Sequence, residues 1–148
     1  MKDTVDRIMT REPAALEPSS TCGEAATLMK QEDCGSLPIV LDGRLVGIIT
    51  DRDIVVRAVA EGKDPKTLRV SDIMTADPIT IAPDMSIDEA SRLMAERQVR
   101  RLPVVADGRL VGIVVLAQLA RSEDDRLTGE TLKEVSERPS GLGSHGRG

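Results

Sequence analysis

Two polar residues at the end of an apolar run are the first candidates for chemistry. Thr50 and Asp53 lie in the segment GIITDRDI (47–54), where a strand pattern gives way to a predicted helix. A hydroxyl and the free backbone N–H groups at a helix start favour an anion. The Asp53 carboxylate only accepts hydrogen bonds, so it suits two vicinal hydroxyl groups, which donate. Gly47, within the strand, would allow a ligand to approach the backbone closely.

The same two residues also fit a purely structural role. Thr-x-x-Asp at a helix start resembles a capping box, in which both side chains stabilise the helix. Sixty-five residues later the segment returns as GIVVLAQL (112–119), with Val115 for Thr50 and Gln118 for Asp53. We interpret this as loss of the cap without loss of the fold, which favours a ligand role for Thr50 and Asp53. The capping alternative stays open.

The second copy belongs to a long internal repeat. Residues 5–54 align with 70–119 at a constant offset of 65, without a gap, and 20 of the 50 positions are identical. Identity at this level indicates duplicated structure. Both copies carry Ile-Met-Thr, two prolines, Leu-Pro-x-Val and Asp-Gly-Arg-Leu-Val-Gly-Ile, which begin at residues 8, 13, 37 and 42 in the first copy.

Each copy has the pattern of a small α/β unit. A short strand is predicted at about 14–16 and 79–81, and capping boxes at Thr21–Glu24 and Ser86–Glu89 start a helix. Two apolar runs joined by Asp-Gly then predict a tight hairpin, and a second helix follows at about 51–60 and 116–121.

The predicted fold class is α/β, with two β-α-β-β-α repeats related by pseudo-twofold symmetry. Because about fifty residues bury little surface alone, we expect the two sheets to pack together with the helices outside. The predicted organisation is repeat 1 at 4–61, a linker at 62–69, repeat 2 at 70–121 and a charged, partly disordered tail at 122–148.

Composition excludes several classes of function. The net charge is −5 and the chain has no Phe, Tyr or Trp, which argues against nucleic-acid binding. No run reaches the ~18 apolar residues of a membrane span, and the N-terminus lacks a signal-peptide core, so we expect a cytoplasmic protein. The only histidine, His145, lies in the Gly/Ser-rich end, and Cys22 and Cys34 are expected at opposite ends of one helix. We therefore predict no metal site, no disulfide and no catalytic residues.

The repeated motifs resemble a known family. Ile-Met-Thr, Leu-Pro-h-Val, Asp-Gly-Arg-Leu-h-Gly and Gly-Ile-h-Thr-x-x-Asp, where h is an apolar residue, are similar to those of a tandem cystathionine β-synthase (CBS) domain pair, or Bateman module. The resemblance covers about residues 4–120. It implies two clefts between the repeats that commonly bind AMP, ADP, ATP or S-adenosylmethionine. It also implies a homodimer and the regulation of another protein, here by a stand-alone module.

The resemblance assigns roles to residues of both repeats. It implies that Thr50 contacts a phosphate and Asp53 the ribose of a nucleotide, while Arg100 and Arg101 reach its phosphates from the other repeat. Guanidinium groups suit this task because they can bind phosphate oxygens bidentately. The alternative is a solvated pair of surface arginines. The second cleft would have Val115 and Gln118 facing Gly35 and Ser36, so we expect one nucleotide per chain.

The adenine is expected between aliphatic groups of the first repeat. The candidates are Leu37, Pro38 and Ile48, with backbone hydrogen bonds from Ala15. Ordinary core packing explains these residues equally well.

The sequence therefore predicts a regulatory protein rather than an enzyme. It would sense an adenine nucleotide and signal its occupancy to an unknown effector protein. We expect a homodimer because several helix residues are too apolar for water: Met29, Val55, Val59, Leu93 and Met94. The alternative is a ligand-free interaction protein that acts through dimerisation and surface contacts.

Overall fold

A computed structural model describes residues 3–126 of the chain. The predicted tail beyond residue 126, including His145, lies outside this range. None of the helices in the described part is long and apolar enough to cross a membrane.

The first repeat contains three strands and two helices. After a 3-10 turn it runs in this order: β1 (Thr10–Arg11), α1 (Cys22–Glu32), β2 (Ser36–Leu41), β3 (Arg44–Thr50) and α2 (Asp51–Asp53), which continues as a π-helix (Ile54–Val59). The second repeat follows the same order: β4 (Thr75–Ala76), α3 (Ile87–Arg97), β5 (Arg101–Ala106), β6 (Arg109–Val115) and α4 (Leu116–Arg126). The helix expected at 116–121 is thus longer than predicted.

Local signals predicted the start of α1 and both hairpin turns. Thr21 and Glu24 form the complete capping box. In the turns, Asp42 and Gly43 both have positive φ, 54° and 83°, as do their copies Asp107 and Gly108. Two consecutive positive φ values are the mark of the tight turn that Asp-Gly favours. At α3 only half of the box forms, because Glu89 contacts the Ser86 hydroxyl instead of its backbone N–H.

The strands predicted at 14–16 and 79–81 are shorter than expected. Each is reduced to a single bridging residue, Leu16 against Ile39 and Ile81 against Val104. The nearby prolines limit further pairing, because proline has no N–H to donate. The two-residue strands β1 and β4, which the sequence did not indicate, form instead.

Strand exchange joins the two repeats. β1 of the first repeat pairs with β6 of the second, and β4 of the second pairs with β3 of the first. At the centre, Arg44 pairs with Arg109, so all six strands form one sheet. The two exchanged pairings are equivalent, because Thr10 pairs with Ile113 and Thr75, 65 residues after Thr10, pairs with Ile48, 65 residues before Ile113. This equivalence is what the predicted pseudo-twofold axis requires. The α/β fold class is confirmed.

There are two buried cores, each built mainly from one repeat and completed by the first residues of the other, and they correct one expectation. Met29 and Met94 are 7% and 2% exposed, and Leu93 packs against the second core. Met29 and Met94 stabilise the monomer and are not available to a second subunit, and Leu93 is only partly buried. Val55 and Val59 differ, because 57% and 59% of their surface is exposed.

The linker packs closely against α1. The N–H groups of Cys22 and Gly23 donate to the carbonyl oxygens of Leu68 and Pro65, at 2.8 and 2.9 Å. The linker therefore satisfies backbone donors at the start of α1 that would otherwise lack partners.

Candidate functional site

Thr50 and Asp53 form a complete capping box at the start of α2. The Asp53 N–H donates to Thr50 Oγ1 and the Thr50 N–H donates to Asp53 Oδ2, each at 3.0 Å. Asp53 is 9% exposed. The structural role is therefore real, and any ligand role must coexist with it. Coexistence is chemically feasible, because each carboxylate oxygen has a second lone pair.

The second repeat keeps half of this cap, contrary to the sequence interpretation. Gln118 Oε1 accepts a 2.8 Å hydrogen bond from the Val115 N–H, as Asp53 does from Thr50. The Gln118 amide also donates to Thr10 Oγ1 at 3.0 Å. Glutamine can replace the acid because this cap needs only an accepting oxygen. What the second repeat lacks is the hydroxyl and the negative charge.

The first turn of α2 offers fewer free donors than the sequence suggested. The N–H groups of Asp51, Arg52 and Asp53 donate to Gly35 O, Asp51 Oδ1 and Thr50 Oγ1. Donors that already have partners cannot also hold a phosphate without rearrangement. An anion bound here would depend mainly on side chains.

A cleft of about 370 Å³ lies between α2 and the segment that precedes β5. We call it the Thr50 cleft. It brings together four of the predicted residues, and its complete lining is Ser36, Ile48, Thr50, Asp51, Arg52, Gln98, Val99, Arg100 and Arg101. Three guanidinium groups and one carboxylate line it, so it is locally basic in a chain of net charge −5. Arg52, Gln98 and Val99 were not predicted.

Leu37 and Pro38 line a second cavity of about 270 Å³, which we call the Leu37 cavity, whereas Asp53 lines neither of the two cavities. Leu37, Pro38, Ile48 and Arg101 are in its wall, and so is Val115. Ser36, Ile48 and Arg101 line both cavities, which therefore adjoin. Ala15 is exposed and lines neither, whereas its neighbour Ala14 lines the Leu37 cavity.

The two cavities are related by the pseudo-twofold axis. Three residues of the Leu37 cavity are Cys34, Ser36 and Val115. The equivalent residues of the other repeat, 65 positions away, are Val99, Arg101 and Thr50, and all three line the Thr50 cleft. Leu37 and Pro38 therefore lie in one cavity and Thr50 and Arg100 in the other, whereas Ile48 and Arg101 line both. The pattern of apolar and polar residues within one repeat could not show which residues share a cavity, because it carries no information about how the two repeats pack together.

Two further predicted features have other roles. Gly47 is covered by the protein itself, because a Cβ there would lie 2.5 Å from Met74 Sδ. It accommodates the neighbouring repeat and not a ligand.

Cys34 and Cys22 are free thiols, and burial raises the pKa of Cys34, which lines the Leu37 cavity. Among the side chains that the structure describes, no three of His, Cys, Asp or Glu are grouped so that they could hold a metal ion.

The model of the CBS domain family matches the chain twice, at residues 5–59 and 70–125. The chain belongs to the CBS domain family. The two matches correspond to the two structural repeats, so residues 5–125 form a CBS pair.

Similar proteins and structures include a CBS domain-containing protein and a CBS domain pair. The CBS domain-containing protein YhcV of Bacillus subtilis is 43% identical over 137 residues, which cover 92% of this chain and 94% of that protein. The structure of CBSX2 in complex with AMP is 30% identical with a TM-score of 0.73, over 83% of this chain and 97% of that one. A CBS domain pair in complex with 5′-methylthioadenosine and S-adenosyl-L-methionine is 31% identical with a TM-score of 0.74, over 85% and 99%.

Proposed function

We propose that this CBS pair is a regulatory module that binds an adenine nucleotide of the AMP, ADP and ATP class in the Thr50 cleft. The observation that carries this proposal is the asymmetry of the cavities. The Thr50 cleft has Thr50 and Arg100, for which the equivalent residues of the other repeat are Val115 and Gly35, while Arg101 and Ser36 line both cavities. Structures of similar CBS pairs contain AMP, or methylthioadenosine and S-adenosylmethionine, which supports an adenosine-containing ligand.

The side chains divide the ligand between them. Arg100 and Arg101 would hold the phosphates by charge-assisted hydrogen bonds, and the Thr50 hydroxyl would add a neutral one. Asp53, which is hydrogen-bonded to Thr50 but does not itself line the cleft, would accept from the ribose hydroxyls. The base would lie against Ile48 and Val99, the apolar side chains of this cleft, instead of Leu37, Pro38 and Ala15. Signalling to an effector protein, without a catalytic step, completes the proposal.

Arg101→Gln tests the phosphate assignment. We expect calorimetry to show one AMP per chain in the wild type and an affinity about tenfold lower in the variant, because one charge-assisted contact to a half-exposed group is lost. Adenosine, which has no phosphate, should bind both proteins equally. Arg92→Gln, on an exposed position of α3, removes the same charge away from both cavities. Equal loss for AMP and adenosine would contradict the assignment.

A second function, interaction without a ligand, is favoured by the exposed face of the π-helix. Val55, Val56 and Val59 are 57%, 46% and 59% exposed, and burying them against a second copy would remove apolar surface from water.

We predict a homodimer of twice 15.9 kDa by light scattering with refractive-index detection at micromolar concentration. Val55→Asp with Val59→Asp should give monomers, because two carboxylates would face each other across the interface. Leu41→Asp, at another exposed apolar position, should not. A wild-type monomer would refute the prediction.

A further inference from the structure

Arg57 contacts Asp53 from one turn further along the helix. Its Nε lies 3.7 Å from Asp53 Oδ1. A second nitrogen of the guanidinium group donates to the carbonyl oxygen of Ile73, at 3.2 Å. Ile73 is 5% exposed in the first core. The guanidinium group is thus held at two points, one of them on the chain that enters the second repeat.

This pair differs from an ordinary surface ion pair. Exposed pairs contribute little because water screens them and both side chains are mobile. Here the Asp53 side chain is only 11% exposed, although that of Arg57 is 54% exposed. The hydrogen bond to the Ile73 carbonyl oxygen also restricts the mobility of the Arg57 guanidinium group, so less conformational freedom is lost when it pairs with Asp53.

The local backbone is unusual at the same place. Residues Ile54–Val59 form a π-helix, and the Ala60 N–H donates to Val55 O at 2.8 Å. Wide turns of this kind are frequent at functional sites. Arg57 lies within the segment.

The second repeat lacks both charges. The positions that correspond to Asp53 and Arg57 are Gln118 and Ser122. Helix α4 nevertheless starts with the same kind of backbone cap, made by Gln118. An acid and an arginine are therefore not needed to start such a helix, and of the two repeats only the one whose Thr50 lines the basic cleft has them.

We infer that Arg57 is a positioning residue that holds the Asp53 carboxylate for a ligand's vicinal hydroxyl groups. This inference rests on the proposed function. The Thr50 N–H donates a hydrogen bond to Oδ2, and the Arg57 guanidinium attracts Oδ1 at 3.7 Å, an ion-pair distance longer than a hydrogen bond, so the two contacts together restrict rotation of the carboxylate. Without Arg57 only Oδ2 of Asp53 is held, by the Thr50 N–H, and the carboxylate can rotate more freely about the bond between Cβ and Cγ. A hydroxyl pair would then meet an acceptor of poorer geometry.

The test compares AMP with 2′-deoxy-AMP in the full chain. Wild type should prefer AMP. Arg57→Gln should lower AMP affinity about fivefold to tenfold, the range for one weakened hydrogen bond to a charged group. The affinity for 2′-deoxy-AMP should be unchanged, so the preference for ribose falls by the same factor. Arg57→Lys, which keeps a cation, should retain part of the preference, and Arg92→Gln should retain all of it.

The outcomes separate the two proposals. If wild type prefers AMP and Arg57→Gln keeps that preference, Arg57 does not position Asp53 and the proposed function stands. If Arg57→Gln weakens both nucleotides equally and lowers the melting temperature, its role is structural and the inference is wrong. If wild type binds neither nucleotide, both proposals fail.

Discussion

Replacing Asp53 by alanine is expected to weaken AMP binding by about 2–4 kcal/mol, because two ribose hydroxyls lose a charged acceptor in a partly closed site. The same change removes the cap on the Thr50 N–H. Alanine therefore perturbs the helix as well as the ligand site, and its effect alone would not separate the two roles.

Asp53→Asn separates them. An amide oxygen makes this cap in the second repeat, where Gln118 accepts from Val115. Asparagine should therefore keep most of the free energy of unfolding and still lose most of the preference for AMP over 2′-deoxy-AMP. Calorimetry with the two nucleotides and thermal unfolding followed by circular dichroism give the two quantities. Equal affinity of the wild type for AMP and 2′-deoxy-AMP would rule out the ribose role of Asp53.

Gly47→Ala is expected to lower the free energy of unfolding by about 2–3 kcal/mol, near the upper end of the usual range for overpacking a core. A Cβ at this position would lie 2.5 Å from Met74 Sδ and 3.0 Å from the carbonyl oxygen of Thr75. The methionine can move, but the backbone of β4 cannot do so without disturbing its pairing with β3.

Two further variants make this prediction specific. Gly47→Ala combined with Met74→Ala should be more stable than the sum of the single effects predicts, because the shorter side chain removes one clash. Gly23→Ala is the control, since its nearest contact would be an ordinary 3.4 Å and alanine favours a helix. Urea unfolding followed by circular dichroism suits a chain without Trp or Tyr. An unchanged midpoint for Gly47→Ala would show that β3 and β4 separate easily.

The two glycines of the repeat explain why the halves depend on each other. Gly112 repeats the arrangement, because a Cβ added there would lie 2.6 Å from Met9 Sδ. Each repeat thus sends an Ile-Met-Thr segment across the other, and the methionine occupies the space that the glycine leaves. A larger residue at either glycine would therefore destabilise the contact between the two repeats.

Signals that depend only on neighbouring residues were sufficient for much of the fold. The offset of 65 established duplication, Thr21 and Glu24 marked the start of α1, and each Asp-Gly placed a turn. The helix cap and the turns are predictable because the interactions that create them span at most a few residues, and the duplication is visible by comparing the sequence with itself. The resemblance to CBS pairs came from the same local motifs, and the family match confirms it.

The tertiary structure decided which residues share a cavity. Strand exchange places Leu37 and Pro38 opposite Val115, and it places Thr50 opposite Val99 and Arg100. It also gives Gly47 a methionine for a neighbour instead of a ligand. None of this follows from periodicity, because contacts between repeats join residues far apart in the chain. The geometry of these contacts depends on how the two repeats are placed relative to each other, and no short segment of the sequence encodes that placement.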